Sequence, residues 1–345
     1  MTFDELTNLE LARQSFTTSH LRIEKWGTLL YEKMWESGEH IDNPLFDIAS
    51  ITKLFTTTAL LRLITIKVLK EETSIKDILP LYPKSIHNIR VKELLTHSSG
   101  LIPWYPFYVR KEKSIEEILE EIVEKNPLTP GTVYSDINFI LLGKIIESVT
   151  NESLQDAFKN LLFIPLQLDE TTFHPNTYRC VPTESGNRIE AAMLRDRNLS
   201  FHNFRPLDKA IVGECNDGNC YYYFKGVSGH AGLFSNAKDL HKLLHVYNKN
   251  NNEYLLPSLV HKALTNQKEK RGYGFQLGDN YPHGGVGHTG FTGTYLYLHP
   301  QLGYTISILT NRLHSPHPHD IKPYRNGMVN KALSMFEGIS SSSII

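Results

Sequence analysis

Ser50 and Lys53 lie one helical turn apart within a stretch of apolar sequence. Residues three apart on a helix share a face, so the amine is expected beside the hydroxyl. From Leu45 to Leu61 the only ionisable side chains are Asp47 and Lys53, which predicts that the lysine is buried. Burial lowers the pKa of a lysine, and an uncharged amine can take the proton of a serine. The spacing therefore indicates a serine nucleophile with a lysine base.

The same Ser-x-x-Lys spacing recurs at Ser235 and Lys238, where no catalysis is expected. That copy opens a polar, amphipathic run, and Ser235 is predicted to be the N-cap of a helix. The Ser50 copy instead precedes residues 54–61, a nearly uncharged run that is typical of a buried helix. Because the motif is short, it leaves both a catalytic and a structural role open for Ser50 when taken alone.

The composition of the 345-residue chain is that of an ordinary globular protein with a formal net charge of −1. This neutral balance argues against a nucleic-acid surface. No stretch is apolar and long enough to span a membrane, and residues 1–16 lack the pattern of a signal peptide. The cysteines number three, and an odd number favours a reducing compartment. Cys215 and Cys220 are near enough in sequence that a pairing between them stays open. We expect a cytoplasmic protein, unless a leader was removed.

Strand patterns occur at both ends of the chain and helical patterns lie between them. Two strands are predicted around Lys25–Gly27 and a hairpin over 294–309, followed by a closing helix over 326–336. This order predicts an α/β (α+β) fold with an antiparallel sheet flanked by helices and built from both chain ends. The expected division is a discontinuous sheet domain, residues 1–75 and 226–345, with a mostly helical insertion domain, residues 76–225.

Two further segments combine polar side chains with a following apolar element. Tyr134-Ser135-Asp136 precedes a predicted helix over 139–149, and His288-Thr289-Gly290 leads into a strand. Together with Ser50 and Lys53 they resemble, in this order, the serine β-lactamase and penicillin-binding superfamily. The match is to its class C β-lactamase-like branch, whose motifs are Ser-x-x-Lys, Tyr-x-Asn and Lys/His-Thr-Gly.

The resemblance extends to the flanking segments 93–101, 134–146 and 226–235, and covers residues 21–310 as a whole. The branch also holds D-alanyl-D-alanine peptidases, D-amino-acid peptidases and carboxylesterases. The resemblance therefore implies a β-lactamase/transpeptidase-like fold and a small-molecule substrate, with no metal or organic cofactor and with the oligomeric state unspecified.

The resemblance also implies roles for individual residues. Ser50 would form the acyl-enzyme, Lys53 would be the base or proton relay, and Tyr134 would shuttle the proton between serine and leaving group. A tyrosine can do this because a neighbouring cation stabilises its phenolate. The backbone N–H groups of Ser50 and Phe291 would form the oxyanion hole.

Substrate binding is assigned by the same resemblance to the third motif and to Asp136. His288 and Thr289, followed by Gly290 and Phe291, would line the wall opposite the serine, where relatives hold a carboxylate or a polar tail. Histidine is only partly charged at pH 7, so we expect weaker carboxylate recognition than a lysine would give.

Asp136 stands where β-lactamases of this branch have asparagine. An asparagine amide can donate a hydrogen bond to the acylamino carbonyl of a penicillin, whereas an ionised aspartate can only accept. Its charge should also raise the pKa of Lys53 and weaken that residue as a base. Both effects disfavour efficient hydrolysis of β-lactams, and within the family an ester or a small D-amino-acid-type amide is the favoured substrate. A weak β-lactamase, a D-alanyl-D-alanine carboxypeptidase and a ligand sensor without turnover remain alternatives, although retention of Ser50, Lys53 and Tyr134 together favours an enzyme.

Four other patterns are interpreted as structural. Gly285–Gly290 matches Gly-x-Gly-x-x-Gly, but a strand and not a helix is expected to follow it. Gly226–His230 lacks the spacing of a nucleophile elbow and is predicted to be a scaffold turn near the active site. The histidines of segment 314–319 alternate with prolines, which favours a solvated loop over a metal site. His97 is predicted to be a hydrogen-bonded residue at a helix end.

Overall fold

The computed structural model describes residues 1–248 and 253–338. Its strands are β1 (Thr18–Lys25), β2 (Thr28–Glu36), β3 (Phe46–Asp47), β4 (Phe234–Ser235), β5 (Val286–Thr289), β6 (Tyr295–His299) and β7 (Tyr304–Thr310). Its helices are α1 (Phe3–Ala12), α2 (Thr52–Thr65), α3 (Ile75–Ile78), α4 (Val91–Leu95), α5 (Ile115–Lys125), α6 (Asp136–Thr150), α7 (Leu154–Phe158), α8 (Arg188–Arg195), α9 (Ala237–His245), α10 (Pro257–Leu264) and α11 (Lys322–Glu337).

A five-stranded antiparallel sheet with the order β2-β1-β7-β6-β5 is built from both ends of the chain. The predicted fold class is therefore confirmed. Both predicted hairpins form: Trp26 and Gly27 turn between β1 and β2 with positive φ values of 50° and 84°, as tight hairpin turns require. The domain boundaries at residues 75 and 226 stay a prediction.

Strands β6 and β7 are buried at every position because helices cover both faces of the sheet. Successive side chains of a strand point to opposite faces. Tyr295 and Tyr297 accordingly pack with Met328 of α11, whereas Leu296 and Leu298 join the larger core that contains α2 and α9. The sheet thus holds β5, which carries the third motif, between two hydrophobic layers.

Helix α2 runs through the larger core, with 11 of its 14 residues buried, as the uncharged run predicts. Two other helices begin earlier than predicted. Helix α6 starts at Asp136, and α11 starts at Lys322 with Pro323 in its first turn, where a proline fits without losing a hydrogen bond. The prediction that Ser235 caps a helix is wrong: Asn236 caps α9, while Ser235 lies in β4 and bonds to Thr171.

Among the described residues, no helix combines the length and the apolar character needed to cross a bilayer. The three cysteines are free thiols, and burial raises the pKa of Cys180 to about 12. Cys215 and Cys220 are buried without a disulfide between them.

Gly229 lets the chain pass closely over α6, directly beside α2. A Cβ at this position would lie 2.3 Å from the carbonyl oxygen of Phe139 and 3.0 Å from Gly143, and Thr56 of α2 donates a 2.6 Å hydrogen bond to the Gly229 carbonyl. We expect Gly229→Ala to lower the free energy of unfolding by about 1–3 kcal/mol through overpacking. Urea denaturation would measure the effect against Gly38→Ala, where an added Cβ meets no atom within 4 Å. An equal, small change in both variants would contradict this account of the packing.

Candidate active site

Ser50 lies in a single 3₁₀ turn, Ala49–Ile51, that leads into α2. The turn starts with a positive φ of 45° at Ala49, a conformation that alanine rarely adopts. The buried carboxylate of Asp47 holds it there, accepting hydrogen bonds from the backbone N–H groups of Ala49 (2.8 Å) and Asn216 (2.6 Å). Burial raises the pKa of Asp47 to about 6. A strained turn that is fixed in this way presents the serine hydroxyl at the end of the helix.

Lys53 is completely buried, and its ammonium connects three elements of the site. Its Nζ lies 2.8 Å from the Ser50 Oγ, 3.0 Å from the carbonyl oxygen of His230 and 2.8 Å from Oδ1 of Asp136. The one-turn spacing therefore places amine and hydroxyl in direct contact, as the sequence predicts.

The charge of Lys53 differs from the prediction. Burial by itself lowers the pKa of this amine, but the Asp136 carboxylate, helped by Tyr134, outweighs burial and raises the pKa above its ordinary value of 10.5. The expectation that apolar surroundings make Lys53 an uncharged base is therefore wrong for the resting site. The expectation that Asp136 raises this pKa is confirmed.

Tyr134 lies beside this lysine, whose Nζ is 5.2 Å from the centre of the tyrosine ring. A loop that follows α4 positions the segment: Val133 N–H donates to the carbonyl of His97, and Ser135 N–H donates to its ring Nδ1 at 3.1 Å. Asp136 then begins α6. His97 itself is buried just beyond the end of α4 and accepts the hydrogen bond from Ser135, as the sequence predicts. Burial also keeps its pKa well below 6.5.

The third motif lies at the end of β5, where His288 and Thr289 belong to the strand and Gly290 follows it. Thr292 and Thr294, just beyond the motif, tie it to that turn, since their hydroxyls donate to the carbonyl oxygens of Asp47 (2.7 Å) and Ile48 (3.2 Å). These hydrogen bonds connect the segment after the motif to the turn that carries Ser50.

His288 is fully buried and does not line the cavity, unlike the three residues that follow it. Its Nδ1 donates to the carbonyl oxygen of Thr289 at 2.8 Å. Burial, reinforced by the charge of Lys53, lowers its pKa well below 6.5. The prediction of a partly charged histidine at pH 7 is wrong, because the ring is neutral there.

Six of the eight predicted site residues line one cavity of about 690 Å³. It is lined by Ser50, Tyr134, Asp136, Thr289, Gly290 and Phe291, among others. Lys53 does not line the cavity itself but contacts Ser50, which does. His288 is buried behind the cavity wall, and its ring centre lies 6.1 Å from that of Tyr134. The structure thus brings all eight predicted site residues to one place.

Charged residues that sequence reasoning missed also line this cavity. Glu190 and Asp217 form an acidic pair: burial and the Asp217 charge raise the pKa of Glu190, whereas contact with His230 outweighs burial and lowers the pKa of Asp217. Three arginines, Arg271, Arg312 and Arg325, also line this cavity. None of the five stands in a motif, and the loop-rich region around Glu190 gave no periodic signal.

Gly226–His230 forms the scaffold turn that the sequence predicts. Ser228 and His230 are buried and joined by a 2.7 Å hydrogen bond, and His230 Nε2 lies 3.0 Å from Asp217. This network fixes the His230 carbonyl that accepts a hydrogen bond from Lys53. Its residues therefore position the lysine.

The remaining alternatives are not supported. Gly285–Gly290 overlaps β5 and is followed by a turn into β6, so it lacks the helix that a dinucleotide site needs. In the histidine-rich segment, His314 contacts the carbonyl of Thr183 and His319 contacts Ser15. Their side chains reach different parts of the protein.

An antiparallel sheet covered by helices, with a Ser-Lys pair and a tyrosine at its edge, defines a serine hydrolase of the β-lactamase type. The Beta-lactamase family model matches residues 27–329 of this chain. The chain belongs to this family, and the predictions of a β-lactamase-related serine hydrolase and of an enzyme are confirmed.

Curated relatives align over most of the chain. An N-acetylmuramyl-L-alanine amidase of Bacillus subtilis (strain 168) is 30% identical over 335 residues, which is 86% of this chain and 76% of that protein. A putative D-alanyl-D-alanine carboxypeptidase of Escherichia coli (strain K12) is 29% identical, over 87% of this chain and 80% of that protein.

Solved structures share the fold at low identity. A D-amino acid amidase from Ochrobactrum anthropi SV3, in complex with D-phenylalanine, superposes with a TM-score of 0.73 at 18% identity, over 97% of this chain and 98% of that one. EstCE1, a hydrolase with promiscuous acyltransferase activity, superposes with a TM-score of 0.70 at 17% identity, over 94% and 96% of the two chains.

Proposed function

We propose that this protein hydrolyses an ester or a small amide of the D-amino-acid type through an acyl-enzyme at Ser50. The observation that carries the proposal is the 2.8 Å contact between the Ser50 hydroxyl and the buried amine of Lys53, at a cavity that Tyr134 also lines. Nucleophile, base and proton relay are thus within reach of one bound substrate.

In the proposed reaction the Ser50 Oγ attacks the substrate carbonyl while Lys53, in its uncharged form, takes the hydroxyl proton. The backbone N–H groups of Ser50 and Phe291 stabilise the resulting oxyanion. The proton passes through Tyr134 to the leaving group, whose bond to the acyl carbon breaks. Water then attacks the acyl-enzyme by the reverse proton path, which releases the acid and restores the serine.

The Lys53–Asp136 pair controls how much of the enzyme is reactive. Only the uncharged amine accepts a proton, and Asp136 raises the pKa of Lys53. Asp136 also presents an acceptor where the acylamino carbonyl of a penicillin would need a donor. The first effect limits the turnover of every substrate, and the missing donor disfavours β-lactams relative to esters and small amides.

One curated relative supports a substrate that contains a D-amino acid, since it is named a putative D-alanyl-D-alanine carboxypeptidase. The other is named an N-acetylmuramyl-L-alanine amidase and supports hydrolysis of an amide. The three free thiols support a reducing compartment, so we also propose a cytoplasmic location. In the cytoplasm the enzyme would meet small fragments of the cell wall and not the polymer.

A substrate panel tests the proposal. It would compare p-nitrophenyl esters, a chromogenic cephalosporin and D-alanyl dipeptides, with the Ser50→Ala variant as the background control. We expect turnover of esters or dipeptides to exceed that of the cephalosporin. A preference for the cephalosporin would contradict the substrate assignment.

A ligand sensor without turnover is the competing function, and covalent labelling separates the two. We expect mass spectrometry to show an adduct on Ser50 after incubation with a fluorophosphonate. No adduct with any serine-directed probe, together with tight reversible binding of a β-lactam, would favour the sensor.

A further inference from the structure

A second groove, of about 650 Å³, lies apart from the catalytic cavity. Side chains from residues 111–115, 144–147, 153–155 and 222–227 line it, and none of them lines the cavity that contains Ser50. Its volume is in the range of cavities that hold small organic ligands. The proposed reaction makes no use of this groove.

The second groove carries an excess of positive charge. Its charged lining residues are four lysines and one glutamate: Lys111, Lys113, Lys144, Lys225 and Glu147. Carboxylates neutralise two of the lysines, since Glu147 lies 2.7 Å from Lys144 Nζ and Glu121 pairs with Lys113.

Lys111 and Lys225 are the two lysines without a carboxylate partner. Both are exposed, and no carboxylate of residues 1–248 and 253–338 lies within 4.0 Å of either amine. Lys225 has a φ of 53°, which non-glycine residues adopt uncommonly. Shortly before it, Asn219–Tyr223 form a single π-helical turn, a rare element that is frequent at functional sites. Two positive charges are therefore available to an anion in the groove.

Three consecutive aromatic residues, Tyr222, Tyr223 and Phe224, line the groove together with these charges. Each is partly exposed. The rings of Tyr223 and Phe224 meet edge to face with their centres 4.8 Å apart, and Lys144 Nζ lies 5.8 Å from the centre of the Phe224 ring. A flat ring of a ligand can pack against aromatic side chains of this kind. The groove thus offers both apolar surface and positive charge.

Hydrogen bonds of their hydroxyl groups hold Tyr222 and Tyr223 in place. Tyr222 donates to Oδ1 of Asn187 at 2.7 Å, and Tyr223 donates to the carbonyl oxygen of Lys113 at 2.9 Å. Because these side chains are already fixed, they lose little further freedom when a ligand binds.

We propose that the second groove binds a small molecule that carries both a phosphate group and a flat ring. Lysine ammonium groups bind phosphate as point charges, whereas the paired donors of an arginine match a carboxylate best. No arginine is among the described residues that line the groove. The partly exposed aromatic side chains supply the surface for the ring. This binding site is separate from the proposed hydrolytic site.

Adenosine monophosphate is the probe for this site, because it combines a phosphate group with a flat ring. Calorimetry would compare it with adenosine, which lacks the phosphate, and with inorganic phosphate, which lacks the ring. We expect adenosine monophosphate to bind at least about tenfold more tightly than either of the other two compounds. No binding at millimolar concentration, or an affinity no greater than that of adenosine or of inorganic phosphate, would overturn the inference.

Removal of the two unpaired lysines tests where the phosphate binds. We expect the double variant Lys111→Met, Lys225→Met to weaken the binding of adenosine monophosphate by about 10- to 100-fold, as for loss of hydrogen bonds to a charged group. Lys270→Met is the matched control, because Lys270 is exposed and pairs with Asp279 outside the groove. It should bind the probe like the parent. An unchanged affinity in the double variant would overturn the inference.

A variant of the catalytic cavity tests whether the phosphate binds there instead. Arg271 lines that cavity and not the second groove. We expect Arg271→Met to leave the affinity for adenosine monophosphate within about twofold of that of the parent. A loss as large as that of the double lysine variant would assign the phosphate to the catalytic cavity and overturn the inference. Binding is measured without hydrolysis, so the result does not depend on the proposed reaction.

Discussion

Ser50→Ala should lower kcat/KM by at least about 10³-fold for every substrate that the parent enzyme hydrolyses. The alanine cannot form the acyl-enzyme, and Lys53 then has no hydroxyl to deprotonate, so both halves of the reaction are lost. Steady-state kinetics would measure the loss. Mass spectrometry with a fluorophosphonate would show the corresponding disappearance of the adduct.

Ser235→Ala provides a matched control, because Ser235 belongs to the second Ser-x-x-Lys copy. Its hydroxyl bonds to Thr171 at 2.8 Å, away from the cavity. This variant should keep the parent's labelling by the fluorophosphonate. Residual turnover in Ser50→Ala close to that of the parent, with the fold intact by circular dichroism, would exclude Ser50 as the nucleophile.

Asp136→Asn should shift the rise of kcat/KM with pH toward acid by about 1–3 pH units. The carboxylate lies 2.8 Å from Lys53 Nζ and raises the pKa of the lysine, so its removal leaves burial to lower that pKa. An amine loses its proton as pH rises through its pKa, and a lower pKa therefore gives more uncharged Lys53 at pH 7. Turnover of a chromogenic cephalosporin at pH 7 should rise by at least about tenfold, since the asparagine also supplies the missing donor.

Asp156→Asn is the control for loss of a carboxylate at a helix N-terminus, because Asp156 is exposed in the first turn of α7. Its pH profile should match that of the parent. If Asp136→Asn abolishes hydrolysis of all substrates while the protein stays folded, Asp136 itself takes part in proton transfer, and the account of Lys53 as the only base is wrong.

The sequence predicted those parts of the site that depend on local geometry. The distance between Ser50 and Lys53 follows from helix periodicity, and burial of the lysine follows from the uncharged residues around it. The sheet from both chain ends follows from the positions of the strand patterns. Each of these predictions starts from a pattern that spans only a few neighbouring residues.

The charges of the site could not be predicted in the same way, because they depend on contacts between distant segments. Lys53 is kept protonated by Asp136, 83 positions further along the chain, at the start of another helix. Arg271 follows Lys268 and Lys270 in a short charged run that is typical of ordinary surface, and Arg325 lies in a helix whose pattern indicates only packing. Asp47 did give a signal in the sequence, since it is one of the two ionisable residues in the apolar run 45–61.

The pairing of β1 with β7 has a consequence for the newly made chain. Residues 19–25 hydrogen-bond with residues 304–310, so this strand has only its hairpin partner β2 until the ribosome has added nearly three hundred further residues. At about 5–20 residues per second, that interval is roughly 15–60 s. The β1–β2 hairpin is marginally stable by itself. During this interval the edge of β1 that later pairs with β7 has unpaired backbone groups, which could pair with a strand of another chain. Ser50, the proposed nucleophile, is therefore synthesised early, whereas the sheet beside it is complete only after β7 has paired with β1.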